Sequence, residues 1–549
     1  MDFDAVLLPA RRARMLEQKR WYQRTINDAL DACVAQHPDK RALTTLRVET
    51  GERQQFTYRE MARMADRMAV GLSRLGVVAG DVVACQLPNW WQFTLTYLAC
   101  SRIGAVLNPL MHIFRERELS FMLGHGEAKV FIVPRVFRGH DYEAMATALQ
   151  PKLPLLRHIV VIDGQGDNSF DALLTTPEWE NEPDAQTILT RSRPSPDDVT
   201  QLLYTSGTTG EPKGVQHTAN TLLANIIPYA ERLHLGEDDV VLMASPMAHQ
   251  TGFMYGLMMP IVLQASAVLQ DIWEPHQAIA LIREQGVTFT MASTPFLTDL
   301  SKQVAADEGG GGIPSLRIFL SAGAPIPGPL VEQARAALGA KIISAWGMTE
   351  NGAVTTTLPE DDDQRAAQTD GRPLPGVEIK VIDTDGSTLP VGEEGKLMLR
   401  SSSNFGGYLK RPHLNATDAD DWFDTGDLAR VDEHGYIRIT GRSKDVIIRG
   451  GENIPVVEIE SLLYRHPDVL HAAIVAYPDE RLGERACAVV ALRAGATLTL
   501  AELRQFLENH QVALQYIPEK LHLLPQLPAT PSGKIQKFKL REIVGNLSQ

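Results

Sequence analysis

Residues 204–214 read Tyr-Thr-Ser-Gly-Thr-Thr-Gly-Glu-Pro-Lys-Gly. The glycines at 207, 210 and 214 let the backbone turn tightly, with positive φ where a turn needs it. The hydroxyls of Thr205, Ser206, Thr208 and Thr209, with the amides between them, donate to anionic oxygens, and Lys213 adds a positive charge. Such a loop suits a polyphosphate better than a neutral ligand. It is not a Walker A loop, which needs Gly-Lys-Ser/Thr; here Pro212 precedes the lysine and Gly214 follows it. A lone Gly/Thr-rich loop is more often a solvated turn, but this eleven-residue string is too specific for that reading.

Outward from the loop, the chain is too long at 549 residues for one core, so two or more domains are expected. Hydrophobic content of 44% and charged content of 22% are those of a soluble globular protein. A net charge of −14 argues against non-specific nucleic-acid binding but leaves room for an anionic substrate held by local lysines. Cys33, Cys85, Cys100 and Cys487 form no CxxC pair, which fits a reducing, cytoplasmic compartment with neither a disulfide framework nor a zinc site. The N-terminus starts acidic and soon reaches Arg11, Arg12 and Arg14, unlike a secretory signal. No Asp, Glu, Lys or Arg stands between Asp239 and Asp271, yet Pro246, His249, Gln250, Pro260, Gln264 and Ser266 interrupt the stretch. It reads as a buried helix and strand lining a pocket, not a membrane span.

The first half alternates helix and strand. Thr57-Tyr-Arg-Glu60 is a capping box, opening a helix with apolar residues at Met61, Met64, Ala65, Met68, Leu72 and Leu75 and closing at Gly76. A buried strand over 81–86, a helix over 89–103 and a strand over 105–107 follow. The rhythm returns at Lys129–Val133, His158–Ile162, Val240–Ala244, Ala267–Leu269, Phe289–Met291, Arg317–Ser321 and Lys341–Ser344. It predicts an α/β fold with helix-covered, mostly parallel sheets. Beyond Gly376, Val377–Ile382 and Gly395–Arg400 predict a small β unit. A boundary near Gly441–Lys444 divides a large domain, 1–441, from a small α+β domain, 442–549. In the latter, Ile447–Arg449, His471–Tyr477 and Ala486–Leu492 read as strands and Val456–Tyr464 as a helix.

Four further segments carry chemistry. In Trp346-Gly347-Met348-Thr349-Glu350, the Thr349 hydroxyl can meet a phosphate and the Glu350 carboxylate a magnesium ion. Asp424-Thr-Gly-Asp427 places a carboxylate after a tight turn, suited to paired ribose hydroxyls. Each segment alone also reads as an ordinary cap or turn. Gly441-Arg442-Ser-Lys444-Asp445 and Arg449-Gly450-Gly451-Glu-Asn-Ile454 set basic groups and a glycine pair at the domain boundary. Pro528-Ala-Thr-Pro-Ser-Gly-Lys534 puts a lysine on a late Pro/Gly loop, where most lysines are solvated tail charges.

In this order, the segments resemble the ANL superfamily of adenylate-forming enzymes over nearly the whole chain. Trp90-Trp91-Gln-Phe, His249-Gln-Thr-Gly-Phe253 and Gly533-Lys-Ile-Gln-Lys-Phe538 are most similar to bacterial short- and medium-chain acyl-CoA synthetases and cyclohexanecarboxylate–CoA ligases. The resemblance implies that Thr205, Ser206, Gly207, Thr208, Thr209, Gly210 and Lys213 hold the β- and γ-phosphates of ATP. Thr349 would contact the α-phosphate, with Glu350 on Mg²⁺. Asp427 would take the ribose hydroxyls, with Arg442 beside it. Gly323 and Ala324 would run along adenine and the acyl group, and Trp346 would stack on adenine where the family more often has tyrosine. Lys534 would bridge the carboxylate and the α-phosphate. Lys444 would be the hinge, and Gly450 and Gly451 would line the tunnel for the pantetheine arm of coenzyme A.

That chemistry sets an anion against an anion, so cations must flank the α-phosphate. The implied activity is ATP-dependent acyl-CoA formation through an acyl-adenylate, with two steps served by a swinging small domain. No cysteine nucleophile is required. Met247, His249, Phe253 and Met254 are the expected acid pocket, and Met258 reads as core. The uncharged stretch favours a non-polar acid, alicyclic or short to medium aliphatic, with cyclohexanecarboxylate preferred. The alternatives are an adenylating enzyme that loads a carrier protein and a non-catalytic nucleotide-binding module. Pro528 to Lys534 also resembles the pattern read by lysine acetyltransferases, whose product would erase the charge on Lys534. The sequence leaves a homodimer open.

Overall fold

The structure is a computed structural model that describes residues 3–205, 212–307, 311–323, 326–442, 447–449, 452–479, 482–510, 512–530 and 535–546. It is mixed α/β, with a large domain of mostly parallel sheets and a small C-terminal domain. Among the described residues the largest sheet has nine strands. Its parallel centre runs Lys341–Met348, Ile318–Ala322, Phe289–Ala292, Val240–Met243, Ser266–Gln270 and Arg41–Arg47. Antiparallel edges close it at Glu52–Thr57 and at Gly352–Thr356 with Arg372–Pro373. A second, six-stranded sheet runs Lys213–Thr218, Val199–Thr205, Val106–Pro109, Val82–Cys85, Ala128–Pro134 and His158–Ile162.

Side chains alternate across a strand with period two, so a strand covered on both faces reads as one apolar run. Val241, Met243, Met291, Leu320 and Ile343 enter the core shared with the six-stranded sheet. Their neighbours Leu242, Val268, Phe319 and Ile342 enter a second core. The helices Pro275–Gln285, Thr294–Ala306 and Gly328–Leu338 contribute Ile282, Leu300 and Ala334 to that second core. The helix Trp91–Arg102 is buried on every side from Gln92 onward. The capping box forms as expected: Thr57 Oγ1 accepts from the Glu60 amide and Glu60 accepts from the Thr57 amide.

Val377–Ile382, Gly395–Ser401, Phe423–Val431 and Ile437–Arg442 form a four-stranded antiparallel sheet. The C-terminal sheet joins Glu452–Ile454, Ile447–Arg449, Gly483–Leu492, Val469–Asp479 and Lys520–Leu523, with the helices Val456–Leu463 and Lys537–Asn546 beside it. Among the described residues no helix is long and apolar enough to cross a membrane.

Two features depart from the sequence reading. The uncharged stretch holds the expected helix and strand, with strands at Val240–Met243 and Ser266–Gln270 and an α-helical turn at Met259–Val262; what departs is the π-helical form of Gly252–Met258. Close approach explains this local form. A Cβ on Gly252 would lie 2.3 Å from the Pro246 carbonyl oxygen, and one on Gly256 would lie 2.4 Å from Met243 Cγ. The second feature is the N-terminal helix Leu8–Glu17, in which Arg11 is buried. Its guanidinium pairs with Asp421 at 2.8 Å and donates to the carbonyls of Asn404 and Phe405.

Candidate active site

The opening loop joins the two strands of an antiparallel ladder in which Thr205 stands opposite Lys213 and Tyr204 opposite Gly214. Residues 206–211, and with them Ser206, Gly207, Thr208, Thr209 and Gly210, lie outside the described residues. At the ladder's open end Lys213 Nζ donates to Tyr408 Oη at 3.0 Å and lies 4.1 Å from that ring's centre. Tyr408 Oη in turn donates to Glu350 Oε1 at 2.6 Å. Burial, and then the adjoining Glu350 carboxylate, push the Tyr408 phenol far above its ordinary pKa, so it stays a neutral donor.

Glu350 is buried behind the strand Lys341–Met348, in a turn that requires glycine. A Cβ on Gly347 would lie 1.9 Å from the Gly352 carbonyl oxygen, and Gly352 itself has φ +72°. Met348 N donates to Asn351 Oδ1 at 3.0 Å. Thr349 is half-buried, and its carbonyl accepts from His217 Nε2 at 2.8 Å. Because a carbonyl only accepts, that nitrogen carries the proton. Burial lowers the His217 pKa to about 4, so the ring is neutral near pH 7. Since His217 lies on the strand that begins at Lys213, the loop ladder and the Thr349 turn are joined both there and through Tyr408.

The second oxygen of Glu350 receives no hydrogen bond among the described residues. Among the described residues no group of three or more His, Cys, Asp or Glu forms a metal cage, and a single carboxylate such as Glu350 suits Mg²⁺, which binds through one or two carboxylates plus substrate phosphates.

Asp427 is buried and faces Arg442 across its ladder. Its Oδ1 meets Arg442 Nε at 3.1 Å, and its Oδ2 accepts from Trp346 Nε1 at 2.9 Å. The Trp346 ring is 9% exposed and packs with Val354, Val381 and Leu397. The indole edge is thus engaged with the carboxylate expected to hold ribose. Gly323 ends the neighbouring strand with φ +93° and open space on its Cβ side. Ala324 lies outside the described residues.

Met247, Phe253 and Met254 are fully buried, Phe253 against Tyr97 with ring centres 4.7 Å apart; His249 is half-buried. Met258 is equally buried, with its sulfur 3.8 Å from Tyr97 Oη. The π-helix carrying Phe253 and Met254 is fastened to the Glu350 turn. Tyr255 Oη donates to Asn225 Oδ1 at 2.6 Å and accepts from Ala353 N at 2.7 Å, while Asn225 Nδ2 reaches the Ala353 carbonyl at 2.8 Å. The helix that carries two of the expected pocket residues is thus hydrogen-bonded to the turn that carries Glu350.

Lys444, Gly450, Gly451 and Lys534 lie outside the described residues. Beside them, Arg449 Nε donates to Glu519 Oε1 at 2.6 Å and Lys537 Nζ pairs with Glu460 at 2.7 Å. Sequence reading missed Tyr408, His217, Asn225 and Tyr255. Tyr408 follows the glycine pair Gly406-Gly407, which was its only local signal.

The family described as AMP-binding enzyme matches residues 30–409, and the AMP-binding enzyme C-terminal domain matches 458–534. The medium-chain fatty-acid–CoA ligase of Escherichia coli (strain K12) is 38% identical over 543 residues, covering 98% of this chain and 94% of the relative. The salicyl-AMP ligase / salicyl-S-ArCP synthetase of Mycobacterium tuberculosis (strain ATCC 25618 / H37Rv) is 33% identical, covering 94% of this chain and 90% of that relative. Among solved structures, the anthranilate CoA ligase AuaEII in complex with anthranoyl-AMP superposes with a TM-score of 0.83 at 25% identity, covering 96% of this chain and 98% of that one.

Proposed function

This chain belongs to the AMP-binding enzyme family as an AMP-forming acyl-CoA synthetase, and from that premise we propose that it joins a non-polar carboxylic acid, alicyclic or short to medium-chain, to coenzyme A. The observation that carries this reading is the convergence of Lys213, Glu350 and Thr349 through Tyr408 and His217. A cation and a buried carboxylate, far apart in sequence, meet at one place where a triphosphate would lie.

In this reading Thr205 and the loop to Lys213 cradle the β- and γ-phosphates. Thr349 takes the α-phosphate, and Asp427 with Arg442 holds ribose. Trp346 and Gly323 border adenine, and Ala324 runs on toward the acyl group. Glu350 would hold Mg²⁺, which supplies neutralising charge to the phosphate oxygens. Lys534 steers the incoming carboxylate onto the α-phosphate, whereupon the acyl–O–P bond forms and pyrophosphate leaves. The thiol of coenzyme A, guided past Gly450 and Gly451, then forms the thioester as AMP leaves. The domain 442–549 turns about Lys444 between these steps. Water must be kept from the mixed anhydride, and the dense packing of Met247, Phe253 and Met254 supports that exclusion.

The acid is read from the stretch between Asp239 and Asp271, which offers no charge to an ammonium or second carboxylate. The likeness to the medium-chain ligase supports an aliphatic acid. The test is a panel of acids, cyclohexanecarboxylate and octanoate included, scored by ATP–pyrophosphate exchange and CoA-dependent AMP release. Exchange with non-polar acids followed by AMP release is expected, whereas exchange only with amino acids would overturn the reading. A second reading, transfer to a carrier-protein thiol, is favoured by the salicyl-S-ArCP synthetase relative; in the same panel it would give exchange without CoA-dependent release.

The four buried cysteines suit a reducing cytoplasm. Acetylation of Lys534 by a lysine acetyltransferase would silence the first step. Mass spectrometry after incubation with acetyl-CoA and such an enzyme would detect the modification.

A further inference from the structure

The segment 405–409 is zipped along the strand that begins at Lys213. Leu409 N donates to the Gly214 carbonyl at 2.8 Å, Gly406 N to that of Gln216 at 2.8 Å, and Gln216 N to that of Gly407 at 3.2 Å. At its other end Phe405 N donates to the Glu350 carbonyl at 2.8 Å. Tyr408 N donates to Asn415 Oδ1 at 2.8 Å, and the ring packs on Phe405 with centres 4.7 Å apart. These contacts fix the phenol between the loop lysine and the turn carboxylate.

We propose that Tyr408 is a positioning residue whose hydroxyl couples Lys213 to Glu350, so that phosphate contact and metal-binding carboxylate are set as one unit. This rests on the adenylate-forming reading above. The geometry supplies the reason for a phenol there. A direct ion pair would spend the carboxylate on the ammonium and pull each group off its ligand. A neutral hydroxyl between them accepts from one and donates to the other. It satisfies Glu350 Oε1 and leaves the second oxygen without a donor among the described residues. It takes one ammonium hydrogen of Lys213 while the ring face adds a cation–π contact. A tyrosine that merely filled space would need neither partner to be charged.

The test is Tyr408→Phe, which keeps the ring and removes the hydroxyl. A non-hydrolysable ATP analogue is titrated calorimetrically with Mg²⁺ and again with EDTA. The wild-type protein is expected to bind more tightly with Mg²⁺, and the variant to lose about tenfold of that margin, the scale of a hydrogen bond to a charged group. Pyrophosphate exchange should fall by a similar factor, while thioester formation from supplied acyl-adenylate stays within about twofold, because that step uses neither the triphosphate nor its metal contact. An unchanged Mg²⁺ margin, or equal loss in both half-reactions, would overturn the proposal. Should the variant not fold, a double-mutant cycle of Lys213→Met and Glu350→Gln on the same margin decides. Coupled losses support a shared unit and additive losses refute it. Absence of exchange by the wild type with every acid would instead remove the adenylation reading itself.

Discussion

At His217 burial keeps the imidazole neutral while its Nε2–H holds a carbonyl. Buried beside Thr221, it donates to the Thr349 carbonyl and so holds the turn expected to meet the α-phosphate. Its pKa falls to about 4 in the fold through burial, against about 6.5 in an unfolded chain. Between those values the unfolded chain binds a proton that the folded one does not, so stability falls as pH drops from about 6.5 toward about 4. The full effect is about 3 kcal/mol. His112 is lowered to about 4 for the same first cause and adds to the same window. We expect His217→Gln, which can still donate to the carbonyl, to flatten the dependence of melting temperature on pH by one group's share. A pH series in which variant and wild type lose stability in parallel would contradict this. None of it was legible in the sequence, where His217 is one polar residue in the run Val215-Gln-His-Thr218. Lys213, by contrast, was legible from its glycine and threonine neighbours alone.

At the scale of elements, the capped helix Tyr58–Arg74 and the central parallel strands were legible because their signals are local. A capping box needs only residues three apart, and a strand covered on both faces needs only a short apolar run. The π-helix Gly252–Met258 was not, because its glycines answer to Pro246 and Met243, whose closeness only the fold creates. Nor was the N-terminal helix Leu8–Glu17, whose role comes from partners nearly 400 residues away. Arg11 grips Asp421 and the carbonyls of Asn404 and Phe405, and Trp21 Nε1 donates to the Ser402 carbonyl at 2.9 Å. Together they hold the segment that carries Tyr408. Among the described residues, Arg11→Ala would leave those carbonyls without a side-chain donor and Asp421 with Arg14 as its remaining ion-pair partner. The expected cost is about 2–4 kcal/mol, with faster amide exchange across 404–409. Unaltered exchange there would show that the helix does not hold the segment.

At the scale of the molecule, the two-step reading requires one centre served by two faces of the small domain. That domain has its own cores, around Leu463, Ile474 and Leu503 on one face of its sheet and around Val475, Val489 and Leu540 on the other. Separate cores are what the proposed turn of this domain requires. Glu460 ties down Lys537 and accepts from Ile474 N at 2.7 Å, fixing the helix just beyond Lys534 to this body. We expect Lys534→Ala to abolish pyrophosphate exchange and spare thioester formation from supplied acyl-adenylate. A bulky side chain at Gly451 should do the reverse. Both half-reactions failing together in either variant would separate those residues from the roles given to them.

The sequence by itself determined the class of chemistry and the order of the parts. The glycine- and threonine-rich loop is readable from residue type at short spacing, which survives without a fold; Glu350 and the late lysine took their expected roles from the resemblance of the ordered segments to a known family. It also determined most strands and the small β unit, because alternation and apolar runs are written along the chain. The tertiary structure alone decided how Lys213 and Glu350 are joined, which carboxylate Trp346 engages and what holds Thr349. Each of those contacts links residues between about 60 and about 200 positions apart. Hydrogen bonds reach only about 3 Å, so such partners are set by packing two sheets and a small β unit against one another, and no local pattern encodes that packing.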